Sequence, residues 1–124
     1  MTTDTRTPLA DGTRFGALWV ANLLGPIAAL AGLETAYVFV DRACVTGDAL
    51  PVHLTLLVCL AAALFAGWLG RREWRRWGSR HAGEEGGPEA RSRFLALLGM
   101  LTSAMTALAI AAQWSANFFF HPCQ

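Results

Sequence analysis

Two cysteines and two histidines are the residues of this chain with the clearest capacity for chemistry. Cys44 and His53 lie close together in sequence, and His121 and Cys123 lie at the end of the chain. Thiolate and imidazole groups bind copper(I) and zinc, whereas two thiols can instead form a disulfide. The spacing matches no strong metal motif, so we expect no metal site. His53 and His121 stay as candidate ligands, with His53 predicted to point with the leucines of its helix.

A second group of polar residues lies inside long apolar segments. Glu34 is the one charged residue in the first such segment, and Tyr37 shares its helical face. Gln113 and Asn117 lie at the same expected depth in the last segment, near the outer surface. We predict an intramembrane polar cluster of these four residues. It could be a proton-linked or ligand-binding site, but interhelical hydrogen bonding is the favoured interpretation.

The rest of the chain contains no recognisable catalytic motif. It has no glycine-rich phosphate loop, no paired metal-ligand motif and no nucleophile beside a base. We therefore predict a protein that is not an enzyme and has no cofactor. The net charge of +1 gives no reason to expect nucleic acid as a partner.

Three long apolar segments must position these residues. The chain has 124 residues, of which 54% are hydrophobic and 15% charged, whereas about a quarter are charged in soluble domains. Residues 15–40 contain one charge, and residues 51–70 and 94–120 contain none. Each segment is long enough to cross a hydrocarbon core of about 30 Å as a helix. The sequence thus predicts an all-α integral membrane protein with three transmembrane helices.

Polar segments divide the chain into tails and connections. We predict a tail at residues 1–14, an outer loop at 41–50, an arginine-rich loop at 71–93 and a tail at 121–124. Asp48 is placed to cap the second helix. In the first helix, Gly25-Pro26 predicts a kink, and Gly32 continues a stripe of small residues that favours close helix packing.

The distribution of arginine predicts the orientation. Seven of the ten Lys+Arg residues, all arginine, lie between Arg71 and Arg93, and such loops are usually cytoplasmic. The N-terminus is then inside and the C-terminus outside, with Arg42 the one arginine outside. Cys44 and Cys123 share the outer side, where disulfides persist in bacteria, so a disulfide is favoured over metal. The absence of lysine suggests a bacterial source, and we expect a multi-pass protein of the bacterial inner membrane.

The first part of the arginine-rich loop has two interpretations. It reads Arg-Arg-Glu-Trp-Arg-Arg-Trp-Gly-Ser-Arg over residues 71–80. Tryptophan at headgroup depth with arginine on the phosphates is typical of a helix leaving a membrane. A polybasic lipid-recognition site is the more specific alternative. Ordinary anchoring is the favoured interpretation.

Several short runs of sequence resemble one group of proteins. They are Gly25-Pro26, Ala43-Cys44 followed by His53, Arg-Glu-Trp-Arg-Arg at 72–76, Arg-Phe-Leu-Ala-Leu-Leu-Gly at 93–99, and Asn117-Phe118-Phe119 with Pro122-Cys123. Through them, about residues 22–123 resemble small bacterial membrane proteins associated with haem-copper oxidase genes. The resemblance implies an accessory or assembly role beside a respiratory complex. It implies no catalytic residue.

These observations lead to two expected functions. The first is a non-catalytic accessory subunit or assembly factor of a respiratory or similar energy-converting membrane complex. The second is a small homo-oligomeric channel or transporter that uses Glu34. The expected partners are the lipid bilayer and either a larger membrane protein complex or further copies of the chain, joined by helix packing.

Overall fold

The computed structural model contains three helices. It describes residues 8–78, 88–120 and 123, with side chains described for 15–76, 90–120 and 123. Helix α1 is Pro8–Thr46, α2 is Leu50–Gly78 and α3 is Pro88–Phe119, and the described residues contain no strand. Each of the three is long and apolar enough to span a membrane. The architecture is therefore all-α, as predicted, and is consistent with a multi-pass membrane protein.

The helices extend well beyond the predicted spans. Helix α1 continues through Pro26 and past Asp41 to Thr46, so only residues 47–49 separate it from α2. Most of the predicted loop 71–93 is also helical, and its residues 79–87 lie outside the described part. The predicted tail 1–14 is helical from residue 8. The reason is that charged residues mark the edge of the apolar region, whereas a helix ends only where a capping residue ends it.

The turn between α1 and α2 shows this capping. Gly47 has a φ of 71°, and its N–H donates to the carbonyl oxygen of Ala43 at 2.8 Å. This left-handed conformation after the last helical residue is the usual glycine C-cap. Asp48 Oδ1 then accepts a hydrogen bond from the N–H of Leu50 at 3.0 Å. Asp48 therefore caps α2, as the sequence predicts.

Small residues bring the three helices into close contact. Helices α1 and α3 run parallel, and α2 runs antiparallel to both. A Cβ atom on Gly32 of α1 would lie 3.0 Å from Cys59 Sγ of α2. One on Gly99 of α3 would lie 3.3 Å from the backbone of Ala21 in α1. This is the packing expected of helices in lipid, where small side chains allow the backbones to approach.

The buried core is made mostly of small side chains, whereas many large apolar ones face outward. The largest fully buried side chains are Leu56, Ile110 and Ser103. Many leucine, valine and phenylalanine side chains, in all three helices, are about half exposed or more. A surface of this kind suits contact with acyl chains rather than with water. The molecule thus has two ends: the cysteine end, with Cys44 and Cys123, and the arginine end, with residues 71–76 of α2.

Candidate functional site

The cysteine end is held together by its two sulfur atoms. Cys44 near the end of α1 and Cys123 beyond α3 lie at disulfide distance, with Cα atoms 5.5 Å apart. The pair joins residues 79 apart in sequence, and Cys59 is a buried free cysteine within α2. Among the described residues, no group of three or more His, Cys, Asp or Glu could hold a metal ion. His121 lies outside the described residues.

His53 packs against α3 at the same end. Its Nδ1 accepts a hydrogen bond from Trp114 Nε1 at 2.9 Å, and its ring centroid lies 5.3 Å from that of Phe118. His53 precedes Leu56 by three residues and Leu57 by four, so it shares a face with leucines of α2. Its contact with Trp114 of α3 was not predicted. An imidazole that accepts at Nδ1 carries its proton on Nε2. The Nε2–H group is then left to donate a hydrogen bond to a ligand.

Glu34 and Tyr37 lie on the outward face of α1. Glu34 is exposed, and Tyr37 is 82% exposed. Gly32 lies on the opposite side of the helix, buried against α2. The two residues therefore share a face, as predicted, but this face points away from α2 and α3.

Gln113 and Asn117 are half-buried on α3. They do not lie against the outward face of α1 that carries Glu34 and Tyr37. Asn117 Nδ2 donates to the backbone oxygen of Gln113 within its own helix at 3.1 Å. Within the described residues, neither side chain forms a hydrogen bond with Glu34 or Tyr37. The structure therefore does not assemble the predicted four-residue cluster. Because of the rotation of α1, the cluster does not form. The small residues of α1 occupy its inward face, so Glu34 and Tyr37 lie on its outward face.

The depth of Glu34 makes its exposure unusual. It lies twelve residues before the end of α1 at Thr46, which is about 18 Å along the helix axis. Two residues earlier, Gly32 packs on Cys59, nine residues into α2. Asp41, the next charged residue, lies seven residues after Glu34, which is about 10 Å along the helix axis, so Glu34 lies about two to three turns inside the apolar segment. A carboxyl group at such depth is costly unless it meets water, protein or a counter-charge.

No protein-family model, curated protein or solved structure matches the chain. The groups of this chain that could bind a partner or ligand are therefore identified from its own side chains. Glu34 offers a carboxyl group for an ion pair, a hydrogen bond or a proton, on a surface that α2 and α3 leave uncovered. The arginines of α2 offer cations at one end of the bundle.

Two polar contacts between helices were missed in the sequence. Asn22 Nδ2 donates to the backbone oxygen of Leu95 in α3 at 3.0 Å and to that of Leu18 at 2.8 Å. Ser103 Oγ in α3 donates to the backbone oxygen of Ala21 at 3.3 Å. Both join α1 to α3. The available signal was that Asn22 is an amide within an apolar segment, where such side chains bond across helices.

We expect Asn22→Leu to weaken the packing of α1 on α3 only modestly. Interhelical hydrogen bonds in membranes contribute about 0.6 kcal/mol on average, and leucine restores apolar volume. The free energy of unfolding in a detergent–SDS titration should fall by about 1 kcal/mol or less. Leu23→Ala, at an exposed neighbouring position, is the control. A loss above 3 kcal/mol for Asn22→Leu would show that the amide has a larger role.

The arginine end has an outward cationic face and a buried carboxylate. Arg71, Arg72 and Arg75 are exposed, whereas Glu73 is 3% exposed. Glu73 Oε1 lies 3.5 Å from Arg76 Nη1, and its Oε2 has no hydrogen-bond partner among the described residues. The one acid of this segment therefore points into the bundle, away from the outward arginines. The sequence does not predict this division, because it does not show which face of α2 is packed.

Proposed function

We propose that this protein is a non-catalytic accessory subunit or assembly factor of a larger membrane complex, of the respiratory or similar energy-converting kind. One observation supports attachment to a partner: the carboxyl group of Glu34 lies within an apolar helix and is exposed on its outward face. The respiratory assignment has the sequence resemblance as its support. The role proposed is structural, through contact with a partner helix.

The outward face of α1 is suited to this contact. Glu34, Tyr37 and Asp41 recur along it at helical spacing, and all three are exposed. Leu30 and Val38 add apolar surface beside them. Polar groups of this kind act as specific contacts between helices because lipid offers them no hydrogen bonds. A partner helix with a basic or hydrogen-bonding side chain at this depth would remove the cost of exposing Glu34.

The proposal includes an orientation and a location. We place the arginine end of the bundle in the cytoplasm and the cysteine end outside, in a bacterial inner membrane. The four arginines at 71–76 support this orientation through the positive-inside rule. The disulfide distance between Cys44 and Cys123 supports an oxidising outer compartment.

A homo-oligomeric channel or transporter is the second candidate, and Glu34 favours it too. Copies of the chain that met through the outward face of α1 would bring their Glu34 carboxyl groups together. Carboxyl groups that line such an interface select cations or carry protons. The partner on α1 therefore distinguishes the two functions.

We expect a photo-crosslinking amino acid at Val38 to capture a larger membrane protein. Val38 is 69% exposed on the face of Glu34, and Val58, 67% exposed on α2, is the matched control. The full chain should be crosslinked in its native membrane and the adducts identified by mass spectrometry. The Val38 position should give a protein adduct at least several-fold more abundant than the Val58 position does.

The identity of the adduct decides between the proposals. A subunit of an energy-converting complex supports the accessory role, whereas adducts of the chain with itself support the channel. Glu34→Gln should reduce the Val38 adduct while the Cys44–Cys123 pair still forms, because the folded bundle does not use Glu34. Lipid adducts alone at Val38 would contradict both functions.

A further inference from the structure

We infer that the arginine end of α2 binds the phosphate group of an anionic phospholipid, whose acyl chain lies along the outward face of α2. This surface differs from the α1 face that carries Glu34. Its use by lipid goes beyond the general attraction of arginine to a membrane. The side chains of Trp68, Arg71, Arg72, Arg75 and Arg76 line an open cleft of about 550 Å³.

The arginines of this cleft are grouped by helical spacing. Arg71, Arg72 and Arg75 follow Trp68 at intervals of three, four and seven residues, so all four lie on one face. Gly70 and Glu73 lie between them in sequence but are buried on the opposite face. Guanidinium groups in such a group can each give two parallel hydrogen bonds to phosphate oxygens.

Among the described residues, carboxylates do not neutralise the outward face of Arg71, Arg72 and Arg75. Within the described part of the chain, no ion pair joins Arg71, Arg72 or Arg75 to an acid. The carboxylate of Glu73 lies 3.5 Å from Arg76, at the edge of the group, and is buried. The described residues therefore give the cleft a net positive charge, which suits the phosphate of an anionic lipid.

Trp68 forms the wall between the cationic and apolar parts of the site. The Arg72 guanidinium lies 5.5 Å from the centre of the Trp68 ring, a cation–π distance. Trp68 also stacks on Phe65, with ring centroids 5.8 Å apart, and is 53% exposed. Tryptophan favours the depth between headgroups and acyl chains. Arg72 is thus held in place above an aromatic surface that an acyl chain can contact.

The position of the cleft along α2 favours a lipid over a soluble anion. From Leu50 to Gly70 the helix is free of charge and is about 31 Å long, which matches a hydrocarbon core of about 30 Å. Arg71 therefore begins at the level of the phosphates. Leu57, Leu64 and Phe65 continue the same outward face and are about half exposed. They provide a continuous apolar surface for an acyl chain attached to the bound phosphate.

Lipid binding to the purified full-length protein tests this site. Native mass spectrometry in a neutral detergent should compare dioleoyl phosphatidylglycerol, phosphatidylcholine with the same acyl chains, and glycerol phosphate, which has the headgroup chemistry alone. We expect phosphatidylglycerol to bind most tightly. R71Q/R75Q should weaken its binding about 25-fold, since each of the two arginines near anionic lipid contributes roughly fivefold. Phosphatidylcholine binding should not change in this variant, which also shows that the protein is folded.

The matched control removes two arginines elsewhere at the same end. Arg91 and Arg93 lie at the start of α3 and are exposed, so R91Q/R93Q makes the same charge change outside the cleft. It should weaken phosphatidylglycerol binding less than threefold. Equal losses in the two variants would overturn the site in favour of general attraction. Equal binding of phosphatidylcholine, or of glycerol phosphate, would overturn it as well, the latter in favour of a soluble phosphate ligand.

Discussion

Replacing Gly99 with leucine is expected to separate α1 from α3 and to give the largest loss of stability of any single change considered. A Cβ atom at Gly99 would lie 3.3 Å from the backbone carbon, the carbonyl oxygen and the Cβ of Ala21. Backbone atoms cannot rotate away as a long side chain does, so the helices must move apart. The hydrogen bonds that join Asn22 and Ser103 to the facing helix would lengthen together.

The size of this loss follows from the number of contacts that depend on one close approach. Overpacking usually costs about 1–3 kcal/mol, and here it also breaks two interhelical hydrogen bonds, so we expect about 3–4 kcal/mol. An SDS titration followed by near-ultraviolet circular dichroism should show it as a lower midpoint. The control is Gly16→Leu, since nothing lies within 4 Å of a Cβ there. Equal stability of the two variants would show that α1 and α3 do not pack through Gly99.

Much of the fold can be predicted because lipid imposes simple rules on sequence. A segment free of charge such as 51–70 must be helical if it crosses a bilayer, since its backbone groups find no other partner there. The stripe with Gly25 and Gly32 also predicts which face of α1 is packed, and both glycines are buried in the structure. Cys44 and Cys123 could be paired from the predicted topology, which places both at one end of the bundle, and they lie at disulfide distance.

The ends and rotations of the helices were not predictable in the same way. Asp41 and Arg42 suggested that the first helix ends there. Charged side chains in water are compatible with a helix, however, and α1 continues to Thr46, where Gly47 caps it. His53 could not be assigned to Trp114, because the contact depends on how α2 and α3 are rotated. Such rotations are decided by many small packing contacts at once, which no single residue reveals.

The candidate sites also depend on helix rotations that the sequence does not reveal. Glu34 was identified as an unusual residue from the sequence, but its predicted partners Gln113 and Asn117 lie across the bundle from its face. The arginines of α2 were also identified, without the burial of Glu73 that leaves their outward face cationic. In both cases the residue type was informative, whereas the direction of the side chain determined which partner is proposed. The two proposed surfaces are therefore the outward face of α1, for a protein partner, and the outward face of α2, for a lipid.

Loss of the Cys44–Cys123 pair is expected to release the C-terminal end of α3. The two residues are 79 apart in sequence, and closing a ring of this size restricts the unfolded chain. Much of the ring stays helical in a detergent-unfolded state, so we expect Cys123→Ser to cost about 2–3 kcal/mol, below the value for a random chain. The comparison is Cys59→Ser, which alters a buried cysteine that has no disulfide.

Thiol counting and unfolding together test this pair. The chain has three cysteines, so non-reduced, denatured protein should react with one equivalent of alkylating reagent, and reduced protein with three. Reduction should lower the SDS midpoint of the native chain to that of Cys123→Ser, and should leave the midpoint of Cys123→Ser unchanged. Three reactive thiols before reduction would contradict the disulfide. They would return both sulfur atoms to the alternative use as metal ligands.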